Sequence, residues 1–139
     1  MVKMTNEIFY MERAFLEHSK EALNYYGNDL EVLTHIREFN TLEISLPRNC
    51  GKTEYIRTFM EERSATVFAF NEKIAERHFN GRAYSIDCNF DRFRGRRNTF
   101  DFVYLDEVSV DKFWRKMQES GIIYSIINRE MTIVSLLTK

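Results

Sequence analysis

The chain has 139 residues, a length that suits one compact domain. Hydrophobic residues make up 44% and aromatics 14%, enough to build a real core, which excludes global disorder. The formal net charge of −1 gives no support to a protein that coats nucleic acid, and no apolar run reaches the roughly 18 residues of a membrane span.

Residues 1–40 read as helical. Ile8, Met11, Phe15 and Leu16 recur at helical spacing, and Gly27 is a stop signal after Tyr25 and Tyr26. A second helix is expected from Asn28 or Asp29, with Leu30, Leu33, Ile36 and Phe39 on one face. The pattern then changes. Residues 42–46 alternate and predict a strand, followed by a helix from Lys52 to about Glu62 with Ile56, Phe59 and Met60 inward. Residues 65–70 predict a second strand. Asn71 is placed to cap a helix reaching His78, and Asn80-Gly81 marks a turn. Residues 83–88 predict a third strand, 89–98 an exposed polar and basic loop, and 100–105 a fourth strand. Ser109 is placed to cap a helix carrying Val110, Phe113, Trp114 and Met117 on one face, ended by Gly121. Two apolar runs close the chain, 122–127 and 131–137, of which at least the second predicts a buried strand. Strands alternating with helices imply βαβ units. The expected fold is therefore α/β, a single domain with a helical N-terminal part (1–40) and a core (41–139) built on a mainly parallel sheet flanked by helices. Such sheets bind ligands beyond the carboxyl ends of their strands.

Two motifs fall at those ends. Pro47-Arg48-Asn49-Cys50-Gly51-Lys52-Thr53 lies between a strand and a helix and matches the later part of the Walker A pattern, with Leu46 where the first glycine stands. Backbone N–H groups at the helix start make an anion site, and Gly51 lets the chain pass close to phosphate. Lys52 would reach the β and γ phosphates, and the Thr53 hydroxyl would ligate Mg2+. The second motif, Phe102-Val103-Tyr104-Leu105-Asp106-Glu107, is an apolar strand ending in two carboxylates, the Walker B form. Asp106 is placed to hold magnesium, and Glu107 to polarise an attacking water. Together they predict a P-loop NTPase core with ATP and Mg2+ as cofactors.

These residues resemble the ATPase domain of viral large terminase subunits, the DNA-packaging motors. The family often lacks the first glycine and carries an arginine near the loop's start, which Arg48 matches. Arg94-Gly95 ahead of the Phe100–Glu107 segment is also similar to the family, and Thr138 after the last apolar run fits its coupling motif. The resemblance covers about residues 40 to 138. It implies Arg48 as a phosphate-sensing arginine acting with Lys52 and the catalytic Glu107, Thr138 as the coupling residue, and work on viral DNA within a homo-oligomer or larger motor assembly.

Arg92, Arg94, Arg96 and Arg97 lie within six residues, interleaved with Phe93, and form the one local nucleic-acid signal; Phe93 would stack on a base. Their other reading is a solvated loop or a subunit contact. His18, His35 and His78 are scattered without zinc spacing. Trp114 reads as core or as a partner surface. Cys50 and Cys88 stand outside any CxxC pair, and no signal peptide is evident, so a cytoplasmic protein is expected, in the host cytoplasm if viral. Two competing readings remain: an interaction or regulatory module that keeps the fold with weak or no hydrolysis, and a small nucleotide kinase using residues 91–97 as a lid.

Overall fold

The computed structural model describes residues 3–96, 99–123 and 127–139. Five strands form one all-parallel sheet: β1 (Thr41–Leu46), β2 (Thr66–Ala69), β3 (Tyr84–Ser85), β4 (Phe102–Asp106) and β5 (Thr132–Thr138), in the order β1-β5-β4-β2-β3. Among the described residues the helices that flank it are α1 (Thr5–Tyr26), α2 (Val32–Phe39), α3 (Lys52–Phe59), α4 (Glu72–Phe79) and α5 (Val110–Ser120). The chain is thus an α/β protein with a parallel sheet flanked by helices. No helix among the described residues is long and apolar enough to cross a membrane.

Alternation along the strands sorts the core into two layers. Phe68, Val103, Leu105 and Ile133 point to one face and pack with Ile36 of α2, Phe113, Trp114 and Met117 of α5, and Phe90, Phe93 and Phe100. Val67, Ala69, Tyr104, Val134 and Leu136 point to the other and pack with Ile8 of α1, Tyr55 and Ile56 of α3, and Ala75 and Phe79 of α4. Local signals start and stop the helices. The Asn71 and Ser109 side chains accept from the N–H groups of Ile74 (2.9 Å) and Lys112 (3.1 Å). Gly121 ends α5 in the left-handed region.

Several expected boundaries shift. α2 begins at Val32 rather than at Asn28 or Asp29, and α3 ends at Phe59, with turns over 60–64. Met11 lies on an exposed face of α1. The third strand shrinks from 83–88 to Tyr84–Ser85, since only these pair with β2. Residues 89–96 are not simply a solvated loop, and 97–98 lie outside the described residues. Phe90–Phe93 form a 3-10 turn whose two phenylalanines are buried among Phe68, Phe100 and Phe113. Apolar burial there outweighs the polar composition that suggested exposure. His35 is fully buried against Phe39. Of the run 122–127, Ile122 and Ile123 are core, and 124–126 lie outside the described residues.

Candidate functional site

The Leu46–Thr53 loop turns the chain from β1 into α3. Leu46 is buried, while Pro47, Arg48 and Asn49 are exposed. Asn49 (φ 59°) and Gly51 (φ 95°) both lie in the left-handed region, and the pair folds the chain back. Gly51 is required twice. Its φ strains any L side chain, and a Cβ there would stand 3.2 Å from the Thr5 methyl carbon, while Met4 N–H donates to the neighbouring Cys50 carbonyl at 2.7 Å. No side chain caps α3, and its first internal bond runs from Tyr55 N–H to Gly51 O. The leading N–H groups of this helix therefore open onto the loop, a physical anion site.

The strand order assembles the rest. β5 lies between β1 and β4, with Leu46 opposite Thr138 and Asp106 opposite Leu136. Thr138 thus stands at the carboxyl end of the sheet between the loop and the acidic pair. Lys52, buried, sends its Nζ to Glu107 Oε1 (3.0 Å) and to Thr138 Oγ1 (2.8 Å), and the Thr138 hydroxyl donates in turn to Glu107 Oε1. Thr53 Oγ1 donates to Asp106 Oδ2 at 2.9 Å. Asp106 Oδ1 is buried without a hydrogen-bond partner among the described residues. Glu107 adopts φ 61°, and its N–H donates to Leu136 O, so its side chain leaves the sheet toward Lys52.

The two neighbouring carboxylates sit in different fields. Burial pushes the Asp106 carboxyl above its ordinary value, the Thr53 hydrogen bond opposes the shift, and the Glu107 charge adds to it. Burial also acts upward on Glu107, but the hydrogen bonds from Thr138 and Lys52 outweigh it and hold that carboxyl below its ordinary range. The surroundings therefore favour the anion of Glu107 and disfavour that of Asp106, which a cation at Oδ1 would stabilise.

A cleft of about 320 Å3 opens above these groups, lined by Lys52, Thr53, Asp106 and Glu107 on one side and by Phe70, Ile74 and His78 on the other. Sequence reading did not assign the second wall. Its signal was the spacing of four that runs from Phe70 into α4 and makes one ridge. The remaining candidates stand apart. Arg48 is exposed, makes no ion pair or hydrogen bond among the described residues, and does not line the cleft. Arg92 sits on the β3 side, at the edge of the sheet away from β1. Arg92 lies over the Tyr84 ring at 4.8 Å, Arg94 bonds Asp91 (3.0 Å) and the Ser120 carbonyl (2.9 Å), and Arg96 is exposed. Arg97 lies outside the described residues. Phe93 is fully buried, so it offers no face to a base, contrary to expectation. Trp114 is core, with Arg37 over its ring. Among the described residues no three His, Cys, Asp or Glu side chains gather as a metal cage.

Comparison with known proteins found no matching family, no curated relative and no solved structure of significant similarity.

Proposed function

We propose that the chain is a P-loop protein that binds ATP with Mg2+ and hydrolyses it, in a manner resembling the terminase ATPases. One observation carries this reading: Lys52, Thr53, Asp106, Glu107 and Thr138, far apart in sequence, converge at the carboxyl end of a parallel sheet beside an uncapped helix start. Their chemistry fits a hydrated divalent cation better than a protein cage. Thr53 Oγ1 and the unpartnered Asp106 Oδ1 are two hard oxygen donors, and magnesium keeps its other positions for phosphate and water. When bound, the ion neutralises charge developing on the phosphate oxygens.

The remaining work belongs to the chain. The open N–H groups of α3 and the Lys52 ammonium hold the phosphates. As the terminal phosphate draws Lys52 to itself, Glu107 is freed to accept a hydrogen bond from a water. That water's oxygen bonds to the γ phosphorus, the bond to the bridging oxygen breaks, and ADP leaves with inorganic phosphate. Glu107 takes the water's proton and passes it to the phosphate. Thr138, in contact with both Lys52 and Glu107, would pass the state of this pair to β5. Action on viral DNA, and a homo-oligomeric or motor assembly, form part of this proposal on the resemblance of the motifs alone.

A second reading, a nucleotide-binding interaction module with little turnover, is favoured by the burial of Leu46 at the loop's first position and by the absence of Arg48 from the lining of the cleft. Magnesium-dependent ATP binding and phosphate release separate the two. Lys52→Ala is expected to weaken ATP binding by about tenfold or more. Glu107→Gln should keep binding and lower phosphate release by about a hundredfold or more. Unchanged release in Glu107→Gln would remove the catalytic assignment. Binding without turnover in the wild type would establish the module.

A further inference from the structure

Cavities lie on both flanks of α3. The first is the cleft that holds Lys52 and the carboxylates. The second, of about 340 Å3, lies between α1 and α3 and is lined by Thr5, Asn6, Phe9, Glu54, Tyr55, Thr58 and Phe59. Thr53 lines the one and Glu54, the next residue along α3, lines the other. On the nucleotide-binding reading, a ligand whose terminal phosphate lies beside Lys52 would extend its remaining part past Glu54 toward the α1 side. That side is built differently from the first. Phe9 and Phe59 are stacked, with ring centroids 5.5 Å apart, and give the cavity an aromatic wall. Asn6 is exposed at its rim, and its amide makes no hydrogen bond among the described residues. Lys3, paired with Glu54 at 2.7 Å, adds a cation on the same side. The start of α1 is fixed against the loop through Met4 N–H on Cys50 O and through the Thr5 methyl against Gly51, so the cavity holds its position relative to the phosphate site.

We infer that the α1–α3 cavity is the base subsite of the nucleotide, selective for adenine. This rests on the nucleotide-binding reading above and adds a place and a preference for the base. An aromatic wall suits the face of a nucleobase, and a purine covers more of it than a pyrimidine does. A side-chain amide carries one donor and one acceptor side by side, the pattern that pairs with N7 and the amino group of adenine, whereas guanine offers two acceptors along the same edge.

Calorimetry with inorganic tripolyphosphate, ATP, GTP and CTP, each with magnesium, tests the inference on the full chain. ATP is expected to bind about tenfold or more tighter than tripolyphosphate, and tighter than GTP and CTP. Asn6→Ala, at an exposed position, should narrow the difference between ATP and GTP. Thr58→Trp fills the cavity from the exposed face of α3. It should abolish the advantage of ATP over tripolyphosphate and leave tripolyphosphate binding unchanged. Equal binding of ATP and tripolyphosphate to the wild type, or an ATP advantage that survives Thr58→Trp, overturns the base subsite and leaves the phosphate site standing. Binding of neither, or binding indifferent to Lys52→Ala, overturns the nucleotide reading itself.

Discussion

Asp106 and Glu107 are adjacent, yet their surroundings drive them apart. The raised carboxyl of Asp106 binds its proton more tightly in the folded chain than in the unfolded one. Its contribution to stability is therefore present below the unfolded value and lost as pH rises through the folded one. Glu107 has the opposite sign: it stabilises the fold above its unfolded value, and this is lost as pH falls through its depressed folded value. Asp106→Asn removes a buried charge and keeps a group of the same shape beside Thr53. Without magnesium it is expected to raise stability by about 1 kcal/mol in urea unfolding and to erase the magnesium dependence of nucleotide binding. A clear loss of stability would show that the charge itself supports the fold. At this scale much was legible in advance. Gly51, Lys52, Thr53 and the acidic pair announce themselves by type and spacing. Arg48 shows the limit, because spacing in a loop does not fix the direction in which a long side chain leaves the backbone.

Among the elements, α1 is tied to the core by a buried carboxylate. Glu12 is fully buried and accepts from the Tyr55 hydroxyl of α3, from the Tyr104 hydroxyl of β4 (2.6 Å) and from Arg63 Nε (3.0 Å). Tyr55 lies three residues after Lys52 and Tyr104 two before Asp106, so one side chain fixes the helix and the strand that carry the site. Burial and the Glu12 interactions drive both phenols well above their ordinary range, which keeps them as neutral donors. Glu12→Ala leaves Arg63 without its carboxylate and both hydroxyls without an acceptor, and about 3–5 kcal/mol of stability should be lost. Tyr104→Phe deletes one hydrogen bond and should cost only about 1 kcal/mol. Equal losses in denaturant unfolding would contradict this sharing. None of this was visible beforehand. Glu12 stands on a helix rich in charge, and periodicity separates faces without telling which charged residue points inward. The helices capped by Asn71 and Ser109 were legible because their signals are local. β3 was not, because its length depends on how far β2 runs beside it.

For the whole molecule, parallel pairing and layers on both faces followed from alternating elements, whereas strand order did not. Placing β5 between β1 and β4 is a long-range choice made by packing. The same order leaves β1 paired on one side only. The bonds from Ile133 N–H to Asn40 O and from Lys139 N–H to Leu46 O show that even-numbered residues of β1 face β5, so the odd-numbered ones face the open edge. Ser45→Pro should therefore cost no more than about 1 kcal/mol, whereas Ile44→Pro, which removes a ladder donor, should cost about 3 kcal/mol or more. Similar thermal unfolding of the two variants would contradict the register. The bond between Lys52 and Glu107 bears on nucleotide affinity. A lysine already satisfied by an internal carboxylate is not an idle charge, and any incoming phosphate must compete with Glu107 for it. Under the proposed function, nucleotide affinity is lower than an unengaged lysine would give, and half-filling moves to a higher nucleotide concentration.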